Sequence, residues 1–410
     1  MKLGIGLSLA NDRFFAGIKL FINKFSGASL ALSLRLVNFF YKGFIITVRR
    51  SSDNLQRGFY AGEIIGTAMR DWVNTPVAKF QSDFGEGGIA FSNFNLNTVM
   101  NQAIGGKDEV LKVILTGGNN IHYLKNNGVV EVGRNFNFLF DIYIPSSNSV
   151  VNQVNVNRPF DIGYLSPPLD TWASYSFTGI SEYDDIQLIS ASGDSINIDA
   201  DGDVFYLKNI TLAQLTADGF VPTIFDQIFS NNMNQPLSSL QGSIMLNGEV
   251  NLKGGKPCII RSANDSGGYL STYAPNDGAT VKGMFYVGEN GIDASARATI
   301  FGGSTARADY GFIAQSRSTS TSIDNSPNIS LTKLNGSTTT IANRVEAYTE
   351  TNNQFLLYRE IDFDSTDNNL GLGYTPIGIG MFSFQELVIF ENTDDAEAKE
   401  NNINEYYEIF

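Results

Sequence analysis

The chain runs to 410 residues, 42% of them hydrophobic and 17% charged, with a formal net charge of −14. That length suits two or three domains with packed cores rather than long disorder, and the acidic balance excludes a nucleic-acid interface, which needs a basic stripe against the phosphate backbone. The single cysteine, Cys258, excludes an intrachain disulfide and a cysteine metal site, and the single histidine, His122, excludes a histidine cluster.

Aromatic residues make up 12% of the chain and glycine occurs 40 times, a mixture that suits half-buried strands joined by tight turns. The start, Met1 to Ala10, imitates a signal peptide. Its apolar stretch is short and no small-x-small site follows, so the chain reads as uncleaved. No run is long and apolar enough to span a bilayer as a helix. Phe14, Phe15, Ile18, Phe21 and Ile22 recur at helical spacing over residues 13–24. A second helix is expected from Ala28 to Phe39, where Leu32, Leu36 and Phe39 share a face. Packing against the core or a neighbouring subunit is the expected use of this apolar start. Gly43 ends the next turn, and a strand is expected from Phe44 to Arg50.

The character changes near Ala78. Phe136 to Ile144 alternates as a long strand, and further strands are expected at Val110 to Leu115, Val150 to Val156, Ser174 to Thr178, Ile186 to Ile189 and Val204 to Ile210. After Gly219 the expected strands are Gly242 to Leu246, Pro257 to Arg261, Gly283 to Val287, Ala298 to Phe301, Gly311 to Gln315, Ile329 to Lys333, Arg344 to Tyr348, Phe355 to Tyr358 and Met381 to Phe390. A short helix, Ala396 to Tyr407, follows. Cys258 sits in an apolar run and reads as a buried structural thiol. Asp199, Asp201 and Asp203 alternate in a glycine-containing turn, a pattern that fits a loose oxygen site for calcium or a solvated acidic turn.

Two resemblances organise these elements. Trp172-Ala173-Ser174-Tyr175-Ser176-Phe177 resembles the "W-x-x-Y-S-F" strand of jelly-roll carbohydrate-binding modules, and Gly202 to Ile210 resembles their closing strand. On either side lie the halves of another motif. Ala31-Leu32-Ser33-Leu34-Arg35 and Arg49-Arg50-Ser51-Ser52-Asp53 come before, and Phe225-Asp226-Gln227 and Gly255-Lys256-Pro257 come after. Together with Gln385 to Phe390 and Asn401 to Tyr407, they resemble concanavalin A/laminin-G-like domains of phage structural proteins and the related catalytic domain of arabinofuranosidase B. The fold class these resemblances imply is mainly β: two β-sandwich (jelly-roll/lectin-like) domains, one inserted in the other, with short N-terminal helices and a C-terminal helix. The implied divisions are 1–26 as an assembly or attachment segment, 27–76 with 214–410 as the lectin-like domain, and 77–213 as the inserted jelly roll.

The glycosidase side of the resemblance implies two carboxyl groups about 5 Å apart. Glu289, in Gly288-Glu289-Asn290, is the only glutamate to propose as nucleophile, Cys258 stands alone where a pair is expected, and Asp265 and Asp309 read as ordinary turn aspartates. No catalytic residue is assigned. Arg49, Arg50, Asp53 and Asp226 read as structural, with an Arg50–Asp226 ion pair locking the separated halves. The alternative is a glycan groove lined by Asp226, Gln227, Asn231 and Asn232. In the jelly roll, Trp172 and Tyr175 are candidate sugar platforms or core residues. The family's structural calcium uses an acidic pair where Lys208-Asn209 stand here, so no cofactor is assigned. The resemblance implies a virion fibre, decoration or head/tail appendage made in a host cytoplasm, with other virion proteins as partners, a homo-oligomer (a trimer) as assembly, and surface glycans as ligands. A glycoside hydrolase and a secreted carbohydrate-binding protein are the alternatives.

Overall fold

The computed structural model describes residues 21–81, 92–94, 96–116, 123–127, 130–191, 202–261, 268–271, 273, 281–289, 301–303, 329–341, 343–362, 370–372 and 382–410. The chain forms two compact units, one from Met1–Val73 with Asp218–Phe410 and one from Asn74–Ala217. Both are built from antiparallel strands, and the few short helices among the described residues all lie in the first unit, so the protein is mainly β.

The unit of residues 74–217 is a sandwich. One sheet runs, in spatial order, Ala173–Ile180, Asn135–Tyr143, Val204–Gln214, Lys107–Leu115 and Leu96–Ile104, and Val77–Gln81 pairs with the far end of Val204–Gln214. The other runs Gly163–Leu165, Gln153–Arg158, Asp185–Ala191, Tyr123–Asn127 and Ser92–Phe94. Because successive side chains point to opposite faces of a strand, Phe136, Phe138, Phe140 and Ile142 enter the core, beside Val154, Val156, Ile186 and Leu188 of the other sheet. Each such buried side chain contributes about 1.5–3 kcal/mol. Asn137, Leu139, Asp141 and Tyr143 are left on the outer face. At the start of Val204–Gln214, Asp203 is buried and accepts the backbone N–H groups of Ser149 (2.7 Å), Val150 (2.8 Å) and Val151 (2.8 Å) and the Ser149 hydroxyl (3.0 Å). Burial opposes its charge, but these donors outweigh it and hold the carboxyl below its usual range. Asp203 thus ties a turn to a strand; Asp199 and Asp201 lie outside the described residues.

In the split unit, Phe382–Phe390 pairs along one edge with Val281–Glu289 and along the other with Ala28–Ser33 and then Ile259–Arg261. Phe355–Asp362 continues the sheet beyond Val281–Glu289. Phe21, Phe25, Ala31, Phe285, Val388, Phe390, Ile403 and Tyr407 form one core, so the helix Ala396–Tyr407 packs on this sheet.

Two expected elements take another form. From Ala28 to Phe39 the expected helix is replaced by the strand Ala28–Ser33 and irregular chain. Leu30, Ala31 and Leu32 are all buried, and a strand covered on both faces shows the same unbroken apolar run as a helix. From Arg344 to Tyr348 the expected strand is the helix Arg344–Thr351, because the Asn343 side chain accepts the N–H groups of Val345 and Glu346 (3.0 Å each) and caps it. Phe21–Lys24 is helical, whereas residues 13–20 and 311–315 and most of 298–301 lie outside the described residues.

Candidate functional site

The outer face of the larger sheet in the 74–217 unit gathers aromatic, amide, hydroxyl and charged groups. Strand register places them in two adjacent rows. Tyr143 lies opposite Tyr206, and Tyr206 lies opposite Lys112. Trp172 extends that row, with its ring 5.6 Å from Tyr143, which in turn is 6.0 Å from Tyr206. In the neighbouring row Asp141 lies between Ser174 and Lys208. Asn209 joins it through a bulge, where a register shift between Lys208 and Thr211 and a φ of 53° turn its side chain toward Asp141. Asparagine tolerates that left-handed backbone better than most residues.

Asp141 is the hub. It is 8% exposed and accepts the Lys107 ammonium (2.8 Å), the Ser174 hydroxyl (2.6 Å) and the Asn209 amide (2.7 Å). Burial works against the charge, yet these donors and the charge of Lys107 hold the carboxyl below its usual range. Lys107 also sits 4.5 Å above the Trp172 ring, in reach of a cation–π contact. Leu139 and the hydroxyls of Ser176 and Thr178 continue the face along the strands. Such a surface offers apolar rings for stacking beside oriented hydrogen-bonding groups, the combination that binds sugar rings.

Of the two platform residues read from the sequence, Trp172 reaches this face and Tyr175 does not. Tyr175 points into the sandwich, stacked on Phe177 at 6.0 Å and packed on Phe140 at 5.6 Å. Trp172 is itself half-packed, its indole N–H donating to the Ile104 carbonyl (3.1 Å). Asp141, Lys107, Tyr143 and Tyr206 join the face without a role expected from the sequence. The signal for two of them was present, since the alternation that sends Phe140 and Ile142 inward sends Asp141 and Tyr143 outward. Lys208 and Asn209, standing where an acidic pair was expected, donate to the Asp108 carbonyl and to Asp141.

The motif residues of the split unit form an internal staple instead of a surface site. Asp226 is 1% exposed and accepts the N–H groups of Ala31 (2.9 Å), Ile228 (3.1 Å), Phe229 (3.0 Å) and Asn231 (3.4 Å). Its own N–H donates to Asn232. Burial pushes the Asp226 carboxyl up, and the backbone donors offset part of that. Gln227, equally buried, accepts the Val37 N–H (2.9 Å) and donates to the carbonyls of Ser33 (3.3 Å) and Arg35 (2.8 Å). The expected Arg50–Asp226 pair does not form. Arg50 instead makes a two-point contact with Asp53 (2.7 and 2.5 Å) and donates to the Trp72 carbonyl. Asp226 is saturated by backbone N–H groups, which match a carboxylate as well as a guanidinium does. Arg49 holds Gln241 and Asn54.

A second polar knot lies nearby in the sequence motifs. Glu386, fully buried, accepts Arg35 at two points (2.7 and 3.0 Å), the Ser33 hydroxyl (2.8 Å) and the Tyr407 hydroxyl (3.2 Å). The Arg35 guanidinium lies 4.5 Å over Tyr406. Gln385 donates to the carbonyls of Lys253, Lys256 and Pro257, tying down the Gly255-Lys256-Pro257 turn. Glu289, the one glutamate proposed as a nucleophile, is occupied by Lys253 at 2.6 Å. Cys258 is buried, which pushes its thiol up to about 12. His122, Asp265 and Asp309 lie outside the described residues. Among the described residues there is no cluster of three or more metal-ligating side chains.

No protein-family model matches the chain. No curated protein matches it in sequence. Solved structures similar to parts of it include the CBM22-1 xylan-binding domain from Paenibacillus barcinonensis Xyn10C, at 16% identity and a TM-score of 0.25, covering 35% of this chain and 97% of that one. A family 29 carbohydrate-binding module from Piromyces equi is 12% identical with a TM-score of 0.22, covering 34% and 90%. BiXyn10A CBM1 is 13% identical with a TM-score of 0.23, covering 33% and 98%.

Proposed function

We propose that this protein is a non-catalytic, carbohydrate-binding structural protein of a tailed-phage virion, in which the 74–217 unit holds the glycan. The observation that carries the glycan reading is the row Trp172–Tyr143–Tyr206 lying beside the Asp141 cluster on one sheet face. Rings supply stacking surface, and Ser174, Asn209 and Lys112 supply donors and acceptors for hydroxyl groups. The virion reading rests on the resemblance of Ala31 to Arg35, Phe225 to Gln227, Gly255 to Pro257 and Gln385 to Phe390 to phage lectin-like domains. In this reading the split unit is a scaffold, the chain assembles as a homo-oligomer with other virion proteins, and its site is the particle surface.

Affinity electrophoresis of the intact protein in gels containing xylan, glucomannan, galactomannan or mixed-linkage β-glucan tests the glycan reading. At least one polymer retards the wild type, and Tyr206→Ala weakens that retardation about tenfold, the effect of losing one stacking ring. No retardation by any polymer, together with no binding on an array of bacterial surface glycans, refutes it. Mass spectrometry of purified particles tests the virion reading, which fails if the polypeptide is found only free of them.

A further inference from the structure

The hairpin between Leu96–Ile104 and Lys107–Leu115 does not stay in its sheet. Lys107–Leu115 pairs with Val204–Gln214 only from Leu111 to Ile114. Its first residues leave the sheet at Glu109, where φ is 52°, and the opposing strand bends at Asn101, φ 53°, between register shifts on both sides of Gln102. The tip, Gly105-Gly106, then crosses over Val204–Gln214 to reach groups two and three strands away. A Cβ on Gly105 would stand 2.9 Å from the Tyr143 ring and 3.0 Å from the Trp172 nitrogen. Four contacts hold it there: Lys107 to Asp141, Lys107 over Trp172, Trp172 to the Ile104 carbonyl, and Lys208 to the Asp108 carbonyl. The outcome is that Tyr143, the middle ring of the aromatic row, is only 8% exposed.

We propose that residues 101–109 form a flap, latched by Lys107 on Asp141 and Trp172, which must lift before a ligand can stack on Tyr143 and Trp172. This rests on the glycan reading for its ligand but not for its motion. The bulges at Asn101 and Glu109 are the hinges, since bulged ladders have fewer hydrogen bonds to break. A site closed most of the time binds more weakly by the fraction of time it is open. Releasing the latch therefore tightens binding while removing a polar group from the site.

The test uses the full chain carrying Trp72→Phe, which leaves Trp172 as its only tryptophan and lies in the other unit. Acrylamide quenching of Trp172 fluorescence, hydrogen exchange of residues 101–109 and affinity for the retarding polymer are compared with and without Lys107→Met. The expected result is faster exchange, at least twofold stronger quenching, and affinity about five- to tenfold tighter. Unchanged quenching and exchange overturn the proposal, because the hairpin is then a fixed wall. Stronger quenching with weaker affinity also overturns it, because the closed form is then the binding form. Stronger quenching and exchange with no polysaccharide bound by either protein support the flap and refute the glycan reading instead. Circular dichroism and the melting temperature confirm that the variant folds before these comparisons are made.

Discussion

Glu386→Gln is the sharpest single perturbation of the split unit. The carboxylate is fully buried and its two oxygens receive four donors from Arg35, Ser33 and Tyr407. An amide keeps the shape and one acceptor. Whichever way it is turned, its nitrogen faces at least one N–H of Arg35, and the guanidinium loses its counter-charge in a largely dry setting. Removing one member of a buried ion pair costs about 3–5 kcal/mol. At about 2–4 °C for each kcal/mol in a domain of this size, the melting temperature falls by ~6–20 °C. Calorimetry on Glu386→Gln, Arg35→Met and the double variant provides the check. The double variant is expected to melt no lower than Glu386→Gln alone, because without the guanidinium the glutamine still accepts from Ser33 and Tyr407. A loss below about 1 kcal/mol, or strictly additive losses, refutes the claim that these residues act as one knot.

Other outcomes follow from the same contacts. The carboxyl of Asp203 sits below its ordinary value of about 4, so its contribution is complete above that pH and is lost as pH falls through the lower folded value. Thermal melts of the 74–217 unit from pH 6 to 3 therefore show a steeper loss in the wild type than in Asp203→Asn, and parallel curves would contradict this. Gly288→Ala brings a Cβ to 2.3 Å from the Ser383 carbonyl and is expected to cost about 3 kcal/mol in urea unfolding, the upper range for overpacking. Gly163→Ala, with nothing within 4 Å but a φ of +84°, costs only about 1 kcal/mol. Gln227→Ala removes three hydrogen bonds to residues 33–37 and strands buried backbone groups, for about 3 kcal/mol by the same measurement.

The alternating run from Phe136 to Ile144 reads directly as a strand because one of its faces meets a core and the other does not. Ala28–Ser33 is illegible by the same rule, since both faces are covered and no alternation survives. The helix Arg344–Thr351 hides in an apolar spacing too weak to show, although the Asn343 cap two residues before Val345 marks it. Residue types at the aromatic face are plain in the sequence, but their meeting is not. It needs a bulge at Asn209 and a hairpin that leaves its sheet, and neither register shifts nor crossings are written in a local pattern. The Arg50–Asp226 pair fails for a related reason. Opposite charges invite pairing, yet a carboxylate beside a turn finds backbone N–H groups first.

The staple of Asp226 and Gln227 joins segments 190 to 195 positions apart, and the way the chain spans that interval bears on how the protein is made. Ala217 donates to Asn74, and Val77 pairs with Gln214, so the 74–217 unit closes its own ends together once it folds. A long detour then becomes a short link. With about 0.6 kcal/mol for each doubling of loop length, and a loop cut to roughly a quarter, the entropy recovered for closing the outer unit is ~1 kcal/mol. The middle of the polypeptide emerges from the ribosome before the second half of the staple does, so it has time to fold first. The early segment, with Ala31 and Val37, waits for partners not yet synthesised, and the insertion acts in the meantime as a clasp that keeps the place open for them.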